Sequence, residues 1–344
     1  MLSRRELLAS SLTAAAISAL TPAAGIAAAP ARPAGQPMSI RTKDGLTLSA
    51  MSYGDPSAVP VIFVHGLSQS RLSWDRQIVA DLAHHRLITF DLRGHGDSDK
   101  PAEPDAYADG SRWADDLAAV IEQAGSQRVV LVGWSFGGLV IGHYLRRHGA
   151  DAIAGVNLVD AVTSFDPQYR SEASGQWGAR VASPDLAVRS EAIARFLALC
   201  FATTPPRAEF DRMLAYNGMV PRAVQLGLSK ISADGLDVGF ARVPRILLTH
   251  GARDALVLPG MSRRMLAVNS RSNLSIYPEA GHSPFYEDAA RFNRELAAFS
   301  ASLSPERTSH DPQDLHPHLH DRPRRHRGNA QGGARHRAAF PARL

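Results

Sequence analysis

The sequence predicts an α/β fold with a mostly parallel sheet, and three observations support this. Short apolar runs recur along the chain, at 61–64, 129–132, 153–159 and 246–248. The run at 129–132 passes through a glycine-bounded turn into 139–144, whose apolar positions have helical spacing. The stretch 163–239 contains no β-branched run and shows helical spacing instead. Buried strands that alternate with helical segments are typical of a parallel sheet whose loops meet at one edge.

Ser135 lies in the middle of that turn, in the pentapeptide Gly133-Trp134-Ser135-Phe136-Gly137. A serine at such a strand-to-helix turn is held in a strained backbone conformation, and the two glycines let strand and helix pass close together. The N-terminus of the next helix carries partial positive charge and free N–H groups, which favour a developing oxyanion. The pattern predicts that Ser135 is a nucleophile; the alternative is an inert serine in a glycine-rich turn.

A nucleophilic serine needs a base that takes its proton and a third group that orients the base. Asp254 and then His282 each follow a predicted strand later in the chain. Asp160 is a second candidate for the acid, because it ends the apolar run at 153–159. Loops at the carboxyl ends of parallel strands converge, so these side chains are expected near Ser135.

The oxyanion formed by attack on a carbonyl needs two N–H donors. Gly66 follows the apolar run at 61–64 and allows a sharp turn that aims a backbone N–H inward. The expected donors are the amides of Leu67 and Phe136.

Three further histidines and the single cysteine are interpreted as structural. His65 precedes the glycine of a turn and is expected to brace its loop, whereas His95 lies in a glycine-rich turn and is expected to be either solvated or turn-bracing. His250 precedes a glycine at a strand end and is expected to bond to the backbone. Cys200 lies in an apolar stretch and is expected to be a buried, inert thiol. One cysteine also excludes an intramolecular disulfide.

Taken together, these motifs resemble the α/β-hydrolase superfamily. The matching pieces, in the family's order over 60–285, are His65-Gly66, the octapeptide at 91–98, the hexapeptide at 133–138, Asp254 and Gly281-His282. The resemblance implies an eight-stranded, mostly parallel sheet flanked by helices, with a helical cap inserted after the sixth strand. It also implies Ser135 as nucleophile, His282 as base and Asp254 as orienting acid. Some members take the acid from the strand that ends here at Asp160, but the spacing of Asp254 to His282 fits the commoner arrangement.

The resemblance says little about the substrate, but the complete triad predicts hydrolysis of carboxylic esters through an acyl-enzyme. No metal ion or organic cofactor is expected, and the substrate is expected to be a small molecule with an apolar acyl or alcohol group. The alternatives on the same triad are a cofactor-free haloperoxidase or perhydrolase, a C–C bond hydrolase and a lyase. A non-catalytic binding protein is disfavoured because no triad member is missing. A dehalogenase or epoxide hydrolase of the family would have aspartate in place of Ser135, which argues against both.

Composition and the resemblance together divide the chain into four parts. These are an export signal at 1–31, a hydrolase core at 32–162 and 240–303, a helical cap at 163–239, and a disordered basic tail at 304–344. The first part resembles a twin-arginine signal, since Arg4-Arg5 precedes a modest alanine-rich apolar run. It predicts a periplasmic or secreted enzyme, and Pro22 argues against a stable membrane span.

The net charge of +5 does not indicate a nucleic-acid partner. The segment 304–344 carries eight arginines against four acidic residues, so most of the positive charge lies in the predicted tail. The remaining charges are nearly balanced, and a nucleic-acid role inferred from the high isoelectric point would be misplaced. The tail has too few large apolar residues to offset its ordering entropy, so it is expected to be dispensable for catalysis.

Overall fold

The computed structural model describes residues 33–303, apart from 79–81 and 83–84. The export signal predicted at 1–31 and the tail predicted at 304–344 therefore lie outside the described residues, as does the Arg4-Arg5 pair. Among the helices of the described part, none is long and apolar enough to cross a membrane.

An eight-stranded sheet forms the centre of the described part. Its strands are β1 (Gln36–Arg41), β2 (Thr47–Gly54), β3 (Pro60–Val64), β4 (Arg86–Phe90), β5 (Val129–Trp134), β6 (Ile153–Val159), β7 (Ile246–Gly251) and β8 (Ser272–Tyr277). Their order across the sheet is β1-β2-β4-β3-β5-β6-β7-β8. The β1–β2 and β2–β4 pairs are antiparallel, and all pairs from β4–β3 to β7–β8 are parallel. The predicted eight-stranded, mostly parallel sheet is confirmed.

Helices cover both faces of this sheet. Those of the described residues are α1 (Asp75–Ile78), α2 (Gly110–Ala124), α3 (Phe136–His148), α4 (Glu172–Arg180), α5 (Leu186–Ala198), α6 (Arg207–Gly218), α7 (Arg222–Leu228), α8 (Leu236–Phe240), α9 (Gly260–Val268), α10 (Pro284–Glu287) and α11 (Ala289–Ala301). Short 3₁₀ helices lie at Arg71–Trp74, Pro104–Ala106 and Pro167–Tyr169.

The central strands are buried on both faces because each face packs against its own layer of helices. Along β3, Ile62 and Val64 belong to one apolar cluster, and Val61 and Phe63 to the other. Every residue of β5 is buried, and its apolar side chains likewise alternate between the two clusters. This burial on both sides explains why the strands appear in the sequence as continuous apolar runs rather than as alternating patterns.

The segment between β6 and β7 is helical, in agreement with the helical spacing of its sequence. It contains α4 to α8 and contributes no strand to the described sheet. Helix α8 packs on α3, and a Cβ added at Gly239 would lie 2.8 Å from Leu145. The last helix of the segment therefore lies against the helical layer of the sheet.

Candidate active site

Ser135 stands on a strained turn between β5 and α3. Its φ of 52° lies in the left-handed region that residues other than glycine rarely adopt. A Cβ added at Gly137 would lie 2.3 Å from the carbonyl oxygen of Val64, and one added at Gly133 would lie 2.5 Å from Ile141. Gly137 therefore requires glycine, because a side chain there would meet the backbone of β3, and a Cβ at Gly133 would lie a tight 3.1 Å from the backbone of Gly137. The turn has the local structure that the pentapeptide predicts.

Backbone hydrogen bonds fix this turn to the neighbouring strand end. The N–H of Ser135 donates to the carbonyl of Val159 at 3.0 Å, and the N–H of Val162 donates to the carbonyl of Ser135 at 2.9 Å. Phe136 is the first residue of α3, so its amide lies at the positive end of the helix dipole. The half-buried hydroxyl of Ser135 is therefore presented beside a helix N-terminus.

His282 and Asp254 form a buried hydrogen-bonded pair. His282 Nδ1 lies 2.7 Å from Asp254 Oδ2, and the side chain of Asp254 is wholly inaccessible. The other oxygen, Oδ1, accepts the backbone N–H groups of Leu256 at 2.8 Å and Val257 at 3.0 Å. Burial alone would raise the pKa of Asp254, but His282 and its other partners outweigh burial and hold the pKa below its usual value. An ionised Asp254 places the imidazole proton on Nδ1 and leaves Nε2 free to act as a base.

The loop that carries His282 is held by two residues that sequence reasoning missed. Trp134 Nε1 donates to the carbonyl of His282 at 2.6 Å. Glu287 accepts the N–H of Gly281 at 2.7 Å and the N–H of Ala202 at 2.8 Å. Trp134 lies next to Ser135 in the pentapeptide, which is a signal that could have singled it out, whereas nothing in the sequence around Glu287 indicates its role.

The structure brings His282 together with Asp254 but not into a hydrogen bond with Ser135. Within the described residues, no hydrogen bond joins the Ser135 hydroxyl to the imidazole. The two residues are connected through Trp134, which is adjacent to Ser135 and whose ring centroid lies 5.8 Å from that of His282. Nucleophile–base hydrogen bonds are often long in unliganded enzymes and shorten when substrate binds.

The loop after β3 lies against Ser135, as the prediction of an oxyanion site requires. A Cβ added at Gly66 would lie 3.3 Å from the Cβ of Ser135. The following residue, Leu67, borders the same cavity as Ser135 and Phe136. The structure therefore places both predicted oxyanion residues at the serine.

Ser68 extends this loop in a strained conformation, with a φ of 61°. Its N–H donates to His95 Nε2 at 3.2 Å, and its hydroxyl accepts the side-chain amide of Gln225 at 2.8 Å. Gln225 belongs to α7, so a helix of the inserted segment holds the loop that carries Leu67. Sequence reasoning missed Gln225 and the strain at Ser68.

His65 and His95 are fully buried and brace neighbouring loops. His65 Nε2 accepts the N–H of Leu92 at 3.0 Å, and His95 Nδ1 lies 2.8 Å from the carbonyl of Arg93. Burial lowers the pKa of His65 to about 4 and that of His95 to about 3. Both rings are therefore neutral hydrogen-bonding groups at physiological pH.

A mainly apolar cavity opens at Ser135. It has a volume of about 120 Å³, and five of its apolar lining residues are Val162, Phe165, Phe196, Leu256 and Val257. A wider space of about 440 Å³ shares Phe165 and Phe196 with it and extends along α4 and α7. The cavity is suited to an apolar group attached to the atom that Ser135 attacks.

Asp160, the alternative acid, is equally buried but does not contact His282. Its Oδ1 accepts the N–H of Gly251 at 2.8 Å. Among the described residues, the only group of His, Cys, Asp and Glu side chains with the spacing for a metal ion is Asp160, His250 and Asp254. However, His250 Nδ1 lies 2.8 Å from the hydroxyl of Ser262 and its Nε2 lies 2.9 Å from the carbonyl of Val257. Both ring nitrogens are thus engaged by protein groups, and the imidazole has no lone pair to offer a metal ion.

Comparisons with known proteins agree with the fold. Residues 59–289 match the family model described as alpha/beta hydrolase fold. A crystal structure from Burkholderia cenocepacia, provisionally described as an aryl esterase, is 38% identical, covers 78% of this chain and 99% of its own, and has a TM-score of 0.75. The esterase RhEst1 from Rhodococcus sp. ECU1013 is 32% identical, with coverage of 78% and 99% and a TM-score of 0.71. A non-heme haloperoxidase from Rhodococcus erythropolis is 27% identical over 277 residues, which cover 76% of this chain and 99% of that protein.

Proposed function

The chain belongs to the α/β hydrolase fold family, and on that premise we propose that it is a serine hydrolase that cleaves carboxylic esters. The observation that carries the proposal is the buried His282–Asp254 pair on the same sheet edge as Ser135, which stands strained at a helix N-terminus and borders a cavity. These are the groups that acyl transfer needs: a nucleophile, an oriented base and an electropositive site for an oxyanion.

In the first half of the reaction, Ser135 Oγ attacks the ester carbonyl while His282 Nε2 takes its proton. Asp254 keeps the imidazole in the correct tautomer and stabilises the imidazolium that forms. The amides of Leu67 and Phe136 donate to the oxyanion of the tetrahedral intermediate. The intermediate collapses as His282 returns the proton to the leaving alcohol, which leaves an acyl group on Ser135.

In the second half, water replaces the alcohol. His282 takes a proton from the water as it attacks the acyl carbonyl, and the same amides hold the second oxyanion. Collapse returns the proton to Ser135 Oγ and releases the carboxylic acid.

An ester substrate is supported by the relatives and by the cavity. Two relatives of known structure that are more than 30% identical are described as an aryl esterase and as an esterase. Phe165, Phe196 and Leu256 line the space beside Ser135, which favours an apolar acyl or alcohol group. Short-chain aryl esters combine these features and are the substrates we propose to test.

Replacement of the serine tests the proposal directly. Ser135→Ala should lower kcat for p-nitrophenyl acetate by about 10³-fold or more, because only oxyanion-site and binding effects remain. The variant should also lose labelling by a fluorophosphonate probe. Ser190→Ala is the control, since it removes an exposed hydroxyl from α5 and should stay near wild-type turnover. Near-native turnover by purified Ser135→Ala would refute the proposal.

The haloperoxidase relative favours perhydrolysis as a second candidate activity. Hydrogen peroxide would replace water in the second half of the reaction and release a peroxyacid while Ser135 recovers its proton. Measurement of peracetic acid from peroxide plus acetate, compared with ester turnover by the same preparation, separates the two activities.

A further inference from the structure

The carboxyl group of Asp160 lies in a confined position at the end of β6. The backbone of Asp160 has a φ of 43°, and the side chain is wholly inaccessible to solvent. The backbone N–H donates to the carbonyl of Thr249 at 2.9 Å, and Oδ1 accepts the N–H of Gly251 at 2.8 Å. The carboxyl group is therefore held against β7, directly before the loop that carries Asp254.

The second oxygen, Asp160 Oδ2, is buried and has no hydrogen-bond donor among the described residues. Oxygens of Asp160 and Asp254 lie within 4.8 Å of each other. Two ionised carboxylates so close, without a donor between them, would leave a buried acceptor unsatisfied beside a like charge. A proton on Asp160 removes both problems, because it turns an acceptor into a donor.

Asp254 has room for this donor. A carboxylate can accept about four hydrogen bonds. Asp254 accepts three from groups described above: two backbone N–H groups on Oδ1 and His282 on Oδ2. One acceptor position therefore remains on the oxygen that faces His282.

His250 does not supply a positive charge that would balance two ionised carboxylates. Its Nε2 carries the proton, since a carbonyl oxygen can only accept, and the distances from this nitrogen to Asp254 Oδ2 and Asp160 Oδ1 are 3.4 and 3.6 Å. Burial lowers the pKa of His250, so the ring is neutral. The cluster then contains two acids and one neutral imidazole.

We propose that Asp160 is a protonated carboxylic acid whose hydroxyl donates a hydrogen bond to Asp254 and thereby positions the carboxylate that orients His282. The effect of Asp160 on catalysis rests on the proposed ester hydrolysis. The protonation of Asp160 does not, because it is a property of the resting protein. Asp160 is then a positioning residue, acting through Asp254.

The surrounding charges support a neutral Asp160. Burial raises the pKa of Asp160 well above its ordinary value, and the charge of Asp254 raises it further. The titratable groups that face it are Asp254, His250, Glu287 and Cys200, and His282 is hydrogen-bonded to Asp254. With Asp160 neutral, the single negative charge of Asp254 matches the single positive charge that His282 acquires during the reaction.

The first test compares two variants through their pH profiles. Asp160→Asn keeps a neutral group, an acceptor for Gly251 and a donor for Asp254, so its kcat/KM should remain within about threefold of wild type, with the same acidic limb. Asp160→Ala removes the donor and should lower kcat by about tenfold or more while KM changes little. If Asp160 is instead ionised, the Asn variant loses a negative charge near His282 and its acidic limb moves down by about one pH unit. That shift, or wild-type kcat in Asp160→Ala, would overturn the proposal.

The second test does not depend on catalysis or on folding of the alanine variant. The infrared difference spectrum between wild type and Asp160→Asn at neutral pH should contain the carbonyl stretch of one protonated carboxylic acid. A difference spectrum with only carboxylate bands would overturn the proposal. If the band is present but no ester is cleaved, the assignment of Asp160 stands and the proposed function fails.

Discussion

Two regions of the molecule contain buried acidic side chains, one after β4 and one after β6 and β7. The two regions differ in the groups that balance the negative charge of these acids. After β4, Asp91 pairs with Arg71, and Arg93 forms two hydrogen bonds to Asp116, at 2.6 and 2.7 Å. We call these four residues the β4 network. Asp160, Asp254 and His250 form the acid cluster, in which no described Lys or Arg side chain hydrogen-bonds either carboxyl group.

This difference distinguishes an ion-paired structural network from one adapted to proton transfer. Arginine remains charged at any physiological pH, so the two guanidinium groups of the β4 network keep their charge whatever happens at Ser135. The acid cluster depends on histidine and on a shared proton, whose positions can change during a reaction. A buried acid whose partner is a histidine or another acid therefore indicates chemistry more strongly than a buried acid paired with arginine.

The largest expected effect separates the two acids of the cluster. Asp254→Asn should lower kcat by about 10³- to 10⁴-fold, because His282 loses its orienting carboxylate and adopts the wrong tautomer. Asp160→Asn should lower kcat far less, and the variant should stay folded. Paired steady-state kinetics with the two variants measure the ranking, and the reverse ranking would reassign the orienting acid to Asp160.

The β4 network should affect stability rather than chemistry. Asp116→Ala removes the bidentate partner of the inaccessible Arg93 guanidinium, which then keeps Asp44 as an ion-pair partner, and should lower the free energy of unfolding by about 1–3 kcal/mol. The folded fraction should keep its kcat. Urea denaturation measures the change, and Asp105→Ala, which breaks the exposed pair with Lys230, is the control that should leave the midpoint unchanged. A large loss of kcat without loss of stability would show that the β4 network takes part in catalysis.

The pH dependence of stability should expose the raised pKa of Asp160. A folded-state pKa above the unfolded value means that stability is lost as pH rises from the unfolded value towards the folded one. Relative to wild type, Asp160→Asn should therefore gain stability across that window, at up to about 1.4 kcal/mol per pH unit. Unfolding free energies measured from pH 4 upward test this, and a constant difference between the two proteins would contradict it.

The smallest expected effect concerns the inserted helical segment. Gln225→Ala removes the hydrogen bond to Ser68 and should lower kcat/KM by about two- to tenfold, since one neutral hydrogen bond contributes about 0.5–1.5 kcal/mol. Gln168→Ala is the matched control, because the side-chain amide of Gln168 bonds to Asp166 on an exposed loop. Equal kinetics for both variants would show that Gln225 does not influence the loop that carries Leu67.

Local sequence patterns determined the sheet and the turn at Ser135. The apolar runs at 61–64, 129–132 and 153–159 coincide closely with β3, β5 and β6, because strands covered on both faces must be apolar throughout. The turn followed from Gly133 and Gly137, since only glycine permits the observed backbone approach. Each of these features depends on residues close together in the chain, so the sequence shows them directly.

Only the tertiary structure shows the contact between the acid and the histidine. Asp160 and Asp254 both follow strands, and β6 and β7 are neighbours in the sheet, so their local patterns are alike and the preference for Asp254 came from its spacing to His282 and the family resemblance. Asp254 and His282 are 28 positions apart in the chain, and their side chains meet only when β7 and β8 pair. Glu287 then holds the loop that carries the histidine. Long-range strand order and burial, rather than any motif, set the hydrogen bonds and the protonation of these groups, because both depend on neighbours far away in the chain.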